Sequence, residues 1–594
     1  MKGYLEAIKR NLTEEDKELL LSIYEPTVVA VQPADANRGL CVTDDGEIRI
    51  YGVSGKKEPD DEGYPVYIAS RDCGLSWKRH KVSDKGALGP AGHNPRTGRY
   101  IGAYPNEYRK DKKRIMALTG SYAEIASGYD DPDVRYVKLT DEHIHILKKP
   151  IYNERLDRWF ILGEKRCADG EKRAVVFLSD DDGESWREVT LENAPRFEIT
   201  PPHKSVRWQE DSCEPTIADM PDGRLMMLVR TSQDYHYMHY SEDGGDTWTS
   251  PEPSRFHGTI TMPVLERLSD GRVVLFWCNT QPLPELDKDA VYPPLDADER
   301  SGRWEDVFTN RDANHLAITS DGTEWRGFRE LALNPIRNNA DFRSIGGRDT
   351  RDKSVHQAEF LELPYNKLMV SYGQSSESRR VVILDLGWLY ETSREENFRF
   401  GTQNLSTQMY VRSNLGNYRG FSGHCAYNRT HGALLMPDPD GNFEEVLRIG
   451  RTEDDSLVYK KQGAVWNYPA SKRGSVSVRL MRLGAGVRIS LLDRWVNPCD
   501  EYVSEYAFVS FDTDGLERGV WQDIELRYDT EAMTAEIVVN GSSCGSLAAR
   551  CPSENGLSYL HIQTLAECAD SEGTLIKRLE KKNLAEKSRE AMLF

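Results

Sequence analysis

Three stretches of the sequence, SRDCGLSW (70–77), SDDDGESW (179–186) and SEDGGDTW (241–248), set Ser, Asp, Gly and Trp at the same offsets, and a shortened copy, SDGTEW, runs from Ser320 to Trp325. The residue types describe one hairpin turn. The Asp carboxylate accepts hydrogen bonds from the turn's own backbone, the Gly takes a positive φ, and the Trp fills the gap to a neighbouring sheet. A turn with these fixed jobs, used several times over, requires several equivalent strand pairs beside equivalent neighbours. The chain is therefore read first as an array of repeated sheets.

A second repeat supports this. PTIADMPDGRLMMLVR (215–230), PVLERLSDGRVVLFWC (263–278) and AEFLELPYNKLMVSYG (358–373) align without gaps, and PIYNERLDRWFILGEK (150–165) is a weaker copy. Each is an apolar strand, a polar turn and another apolar strand, the sequence form of a β-propeller blade. Boxes at Asp72, Asp181, Asp243 and Asp321 leave one wide gap for a blade without a box. The strand pair near 358–390 completes six blades over residues 27–395. Residues 396–572 keep alternating strands but lose the boxes, and WQDIELRYDTEAMTAEIVVNG (521–541) reads as two strands around a turn. The expected fold is all-β, a six-bladed propeller followed by a β-sandwich. A short amphipathic helix is expected within residues 1–26 and a charged helix over 573–594.

The bulk properties narrow the partners. A formal charge of -19 over 594 residues disfavours nucleic acid and anionic membrane surfaces. No apolar run reaches the length of a membrane span, and the N-terminal stretch lacks the apolar core of a signal peptide. The ten cysteines include no CxxC pair, which fits reduced thiols better than a disulfide frame or a zinc site. The expected location is cytoplasmic, or secreted if a leader has been trimmed away. No cofactor and no metal are expected, and homo-oligomerisation is left open.

The boxes are those of the sialidase (neuraminidase) superfamily of Asp-box, or BNR-repeat, propellers, which this chain resembles. Residues 396–572 resemble a laminin-G or concanavalin-like sandwich. In that superfamily the boxes lie on the outer rim. An arginine triad holds the substrate carboxylate, a Tyr activated by a Glu is the nucleophile, and an Asp on a loop is the general acid. The segment CEPTIADMPDGRLMMLVRTS matches the strand pair of the family that carries the Glu and the second Arg, which gives Glu214 and Arg230. In the internal repeat Glu214 aligns with Met262 and Gln357, and Arg230 with Cys278 and Gly373, so one blade carries charges where its sisters do not.

The third Arg maps to Arg311 in TNRDANHLAITSDGTEW. With no Arg-Ile-Pro tripeptide present, Arg38 in PADANRGL stands for the first, ahead of Arg49. The acid loop maps to Asp60 or Asp61, with Asp61 preferred. Where the family has its Tyr, the chain reads DKSVHQAEFLEL, so His356 or Gln357 takes the place. Histidine can serve as acid, base or nucleophile near neutral pH. Tyr235 and Tyr237 in DYHYMHY, Trp277 or Asn279 in FWCNTQPLP, and Arg343, Arg348 and Arg351 in FRSIGGRDTRDKS are further residues expected to contact sugar.

The resemblance implies an exo-acting, sialidase-like glycoside hydrolase that removes a terminal acidic sugar from a glycan. Two alternatives remain open. One is a propeller glycosidase or polysaccharide lyase acting on a uronate- or rhamnose-containing glycan with His356 in the chemistry. The other is a non-catalytic carbohydrate-binding protein.

Overall fold

The computed structural model describes residues 3–33, 39–43, 45–53, 65–81, 91–105, 115–120, 135–140, 142, 144–146, 148–167, 171–198, 212–258, 260–282, 310–333, 355, 357–373, 379–411 and 428–584. Six antiparallel sheets follow one another along the chain as blades 1 to 6. Blade 1 runs from Leu40–Val42 outward to Lys78–Lys81, blade 2 from Gly92–His93 to Arg135–Thr140, and blade 4 from Cys213–Asp219 to Glu252–His257. Blade 5 runs from Val264–Arg267 to Trp325–Leu333. Blade 6 is made of Ala358–Leu363, Lys367–Tyr372 and Arg380–Asp385, and its outermost strand, Thr27–Ala30, comes from the other end of the propeller sequence. That pairing closes the ring.

The boxes do what their residue types require. In the third, Ser241 Oγ donates to Asp243 Oδ1 at 2.8 Å, and Asp243 accepts from the Thr247 amide at 2.9 Å. Trp248 Nε1 donates to the Gly245 carbonyl at 3.1 Å. The same bonds recur around Asp72 and Asp181. In the shortened copy the hydroxyl comes from Thr319, one residue before the expected Ser320, and accepts from the Gly322 amide at 2.9 Å. Each box faces the preceding blade. A Cβ on Gly245, whose φ is +100°, would stand 2.9 Å from Phe160 Cε1 of blade 3. Gly245→Ala is accordingly expected to cost roughly 1–3 kcal/mol of stability through left-handed strain and overpacking. An unchanged denaturation midpoint would refute this role for the box.

Blade 3 departs from the pattern. Its inner strand is split into Ile144–His145 and Ile151–Asn153, both paired with Arg158–Arg166. Pro150 has no amide to continue the ladder, so the chain leaves the sheet between the two pieces. Lys148 and Lys149 lie in this break.

The N-terminal region is helical as expected, and the C-terminal region corrects the expectation. The N-terminal segment forms two helices, α1 (Gly3–Asn11) and α2 (Glu14–Ser22). Thr13 breaks them apart through a capping box: its Oγ1 accepts from the Asp16 amide at 3.1 Å while Asp16 Oδ2 accepts from the Thr13 amide at 2.9 Å. The described part of the charged tail, expected to be helical over 573–594, is instead a strand, Asp570–Lys582, held between Glu445–Arg451 and Arg473–Arg482 in an eight-stranded sheet, and 585–594 lie outside the described residues. Leu575, Ile576 and Leu579 are buried there, and this packing overrides the helix propensity of a Leu/Lys/Arg/Glu segment.

The sandwich packs that sheet against a five-stranded one over a core that includes Trp466, Tyr468, Val478 and Ile562. Its seam with blades 4 and 5 is dense and buried. Asp312 accepts from Tyr410 Oη at 2.7 Å and from Arg429 Nη2 at 2.6 Å, and the Asp312 and Arg429 side chains are 1% and 0% exposed. The nine described cysteines are free thiols. No described helix is long and apolar enough to cross a membrane.

Candidate active site

The strand pair that carries Glu214 and Arg230 is distorted at one end. Cys213 pairs with Arg230, but the register shifts before Thr216 pairs with Leu228. Inside this bulge Glu214 adopts φ +46°, a conformation costly for a residue with a Cβ. The bulge turns the Glu214 carboxylate onto Arg230, with Nη1 2.7 Å from Oε2. Both side chains are nearly buried, at 10% and 8% exposure. Ile260 (φ +49°) and Gln357 (φ +68°) are left-handed at the corresponding approaches to blades 5 and 6. Three strained non-glycine residues thus gather at one end of the propeller, and strain of this kind is typical of functional sites.

A second carboxylate supports the first. Glu164 Oε2 accepts from the Glu214 amide at 3.1 Å, while its Oε1 lies 3.3 Å from His145 Nδ1 and 3.4 Å from Lys172 Nζ. Burial pushes the Glu164 carboxyl up, but the His145 hydrogen bond and the charges of Lys172, His145 and Arg230 outweigh it and hold the pKa at about 2. Glu164 is thus a fixed anion that orients the strained Glu214 backbone.

The break in blade 3 sends two lysines across the ring. Lys148 Nζ donates to the Pro263 carbonyl of blade 5 at 2.8 Å, and Lys149 Nζ to the Leu40 carbonyl of blade 1 at 3.1 Å. Burial lowers the Lys148 pKa to about 7, against the opposing pull of Glu214 and of Glu359 on the inner strand of blade 6. Glu359 Oε2 in turn accepts the Leu40 amide at 2.7 Å. Around Lys149 and toward α1 lies a cavity of about 330 Å³ that also touches His93, Tyr100 and Tyr4.

Sequence reasoning did not single out Glu164, His145, Lys148 or Glu359. One signal was legible: the gap-free repeat that aligns 150–165 with 215–230 sets Lys149 opposite Glu214, so charge at that position recurs in blade 3.

The remaining expected site residues divide. Arg311 is 1% exposed, and its Nη2 donates to the carbonyl of Ile260. The Ile260 amide donates to the Thr231 carbonyl at 2.9 Å, so a hydrogen-bonded path joins Arg311 to the residue beside Arg230. Tyr235 is 39% exposed and packs on His257 with ring centroids 4.7 Å apart.

Asn279 is not a sugar ligand. Its Nδ2 donates to the Asp493 carbonyl at 2.8 Å, its carbonyl accepts from the Trp495 amide at 2.9 Å, and it is 1% exposed. The sandwich thus holds its side-chain amide nitrogen and its backbone carbonyl. Trp277 is not a platform either, being fully buried between Phe256 and Phe328. Tyr237 belongs to the core between blades 3 and 4. Arg38, Asp60, Asp61, Arg343, Arg348, Arg351 and His356 lie outside the described residues. Among the described residues no group of three metal-ligating side chains comes together.

Residues 142–377 match the BNR repeat-like domain family. No curated protein matches the chain. Among solved structures, Trypanosoma rangeli sialidase in complex with 2,3-difluorosialic acid is 11% identical, covering 95% of this chain and 92% of its own, with a TM-score of 0.37. The same sialidase with sialic acid is 12% identical over 95% of each chain, with a TM-score of 0.36. A Dyadobacter fermentans protein of unknown function is 15% identical, covering 61% of this chain and 97% of its own, with a TM-score of 0.37.

Proposed function

We propose that this Asp-box, BNR-repeat propeller of the sialidase-like superfamily is an exo-acting glycoside hydrolase that cleaves a terminal acidic sugar from a glycan. The observation that carries the reading is the buried Glu214–Arg230 pair, formed on a bulge with a left-handed Glu214 at one end of a six-bladed ring. A guanidinium in a nearly dry site is suited to a sugar carboxylate, and a carboxylate beside it to activating a nucleophile or a water. Arg230 binds the acidic group and Glu214 handles the proton or the developing positive charge. Glu164 positions Glu214 through its backbone, and Arg311 supports the Ile260 turn next to Arg230. Asp61 remains the proposed leaving-group acid.

A panel of sialosides and uronate-terminated oligosaccharides tests this, with release of the free terminal sugar as the expected result. Turnover of neutral glycans alone would overturn the acidic-sugar reading, and turnover of none of the panel would overturn the hydrolase.

Lys148 adds a pH dependence. Its ammonium is present below about pH 7 and faces the Glu214 and Glu359 carboxylates, so its loss leaves their negative charge less compensated. The rate is expected to fall as pH rises through 7, and Lys148→Met to flatten that limb while the circular dichroism spectrum stays unchanged. A limb that persists in Lys148→Met would remove Lys148 from the chemistry.

A further inference from the structure

A second cleft, of about 570 Å³, opens between blade 5, blade 6 and the leading segment of the sandwich, and none of the Glu214 cluster lines it. Its volume falls within the range of small-molecule sites, and junctions between domains are a usual place for them. Arg329 of blade 5 forms part of the frame. It is 2% exposed, donates to the Trp388 carbonyl at 3.0 Å and to Glu391 Oε2 at 2.6 Å, and lies 4.2 Å over the Trp388 ring.

Two other guanidiniums on the walls have no carboxylate partner among the described residues. Arg394 is anchored by Nη1 on the Asn467 carbonyl at 2.6 Å, and Arg380 by Nη1 on the Arg379 carbonyl at 2.8 Å. In both cases a neutral backbone oxygen fixes the side chain, and the carboxyl groups that share the cleft with them are Glu25 and Glu330. Glu330 faces the same space, its Oε1 accepting from Tyr559 Oη at 2.8 Å. Burial raises the Glu330 pKa to about 7, with the Tyr559 hydrogen bond and the charges of Arg394 and Arg329 opposing it, so near neutral pH this carboxyl offsets only part of the positive charge.

Planar, fixed guanidiniums select planar oxyanions, while Glu330 and the exposed amide of Gln403 offer partners to hydroxyls. We propose that this cleft is a second saccharide site that takes a carboxylate-bearing sugar, with the carboxylate on Arg380 and Arg394 and the hydroxyls toward Glu330 and Gln403. The site does not depend on hydrolysis at Glu214.

The test is calorimetric titration of the full chain carrying Glu214→Gln with glucuronate, with its methyl ester and with inorganic sulfate. Glucuronate is expected to bind, and Arg380→Gln to weaken it at least tenfold. The ester is expected to bind at least tenfold more weakly than the acid. Arg380 is the clean position, because Arg394 also holds the seam through Asn467. Unchanged affinity in Arg380→Gln overturns the proposal, as does equal affinity for the ester. Binding abolished by Arg230→Gln alone would assign the sugar to the propeller end and overturn it, whereas sulfate binding as tightly as glucuronate would reduce the cleft to a simple anion site. Turnover by the parent chain is scored separately, so failure of the Glu214 reading and failure of the cleft are distinguishable.

Discussion

Glu214→Gln is expected to lower kcat by about 10²–10⁴ while leaving the fold intact, the range over which positioned acid–base groups act. The substitution is nearly isosteric and keeps a hydrogen-bond acceptor for Arg230 Nη1, 2.7 Å away in the native chain. It removes the charge that would activate a nucleophile or a water. The backbone at 214 also changes little, since Glu164 holds it by the amide and not by the side chain. The loss should therefore appear in kcat with an unaltered thermal transition. Equal turnover by the variant and the parent would end the assignment of Glu214 to the chemistry. Loss of activity together with loss of the transition would show that the pair is structural.

The largest stability effect is expected at the seam. Asp312→Ala removes the carboxylate that accepts from both Tyr410 Oη and Arg429 Nη2, at a place where the Arg429 side chain is 0% exposed. Breaking one partner of a fully buried pair typically costs about 3–5 kcal/mol. Chemical denaturation should move to a lower midpoint, and limited proteolysis should separate propeller from sandwich earlier than in the parent. Because Asp312 follows Arg311 directly, and Arg311 braces Ile260, activity at the Glu214 end is expected to decline as well. A parent-like midpoint would show that the seam tolerates loss of the Asp312 carboxylate, contrary to its burial.

Much of the fold was legible because its turns are chemically demanding. The Ser-Asp-Gly-Trp boxes need a hydroxyl, a carboxylate and a positive φ at fixed offsets, and few other structures need that combination. The Glu214–Arg230 pair was legible for a related reason: the gap-free repeat exposes a charge where sister blades carry Met262, Gln357, Cys278 or Gly373. The rest of the cluster was not. Glu164 lies within the apolar run FILGEK, and its link to Glu214 crosses between blades 3 and 4. Lys148 acts across the ring because Pro150 interrupts a strand that the periodic pattern runs straight through. The tail from 573 read as a helix because Lys, Arg, Glu and Leu favour one locally, while the partners of the strand at 570–582 stand more than a hundred residues earlier, at 445–451, and nearer, at 473–482.

The sequence alone determined the repeated sheets, the turn geometry that joins them and the blade whose strand ends carry the Glu214–Arg230 charges. Those properties depend on contacts within a few residues, or on comparing one repeat with the next. Only the tertiary structure decided that Asn279 and Trp277 serve packing, that a strand completes the sandwich at 570–582, that Glu164 meets Glu214 and that the charge of Lys148 acts on it. Each of those outcomes depends on which surface closes over a side chain. Ring closure and the sandwich seam set the burial, and burial determines whether a polar group is used up in the scaffold or held ready for a ligand.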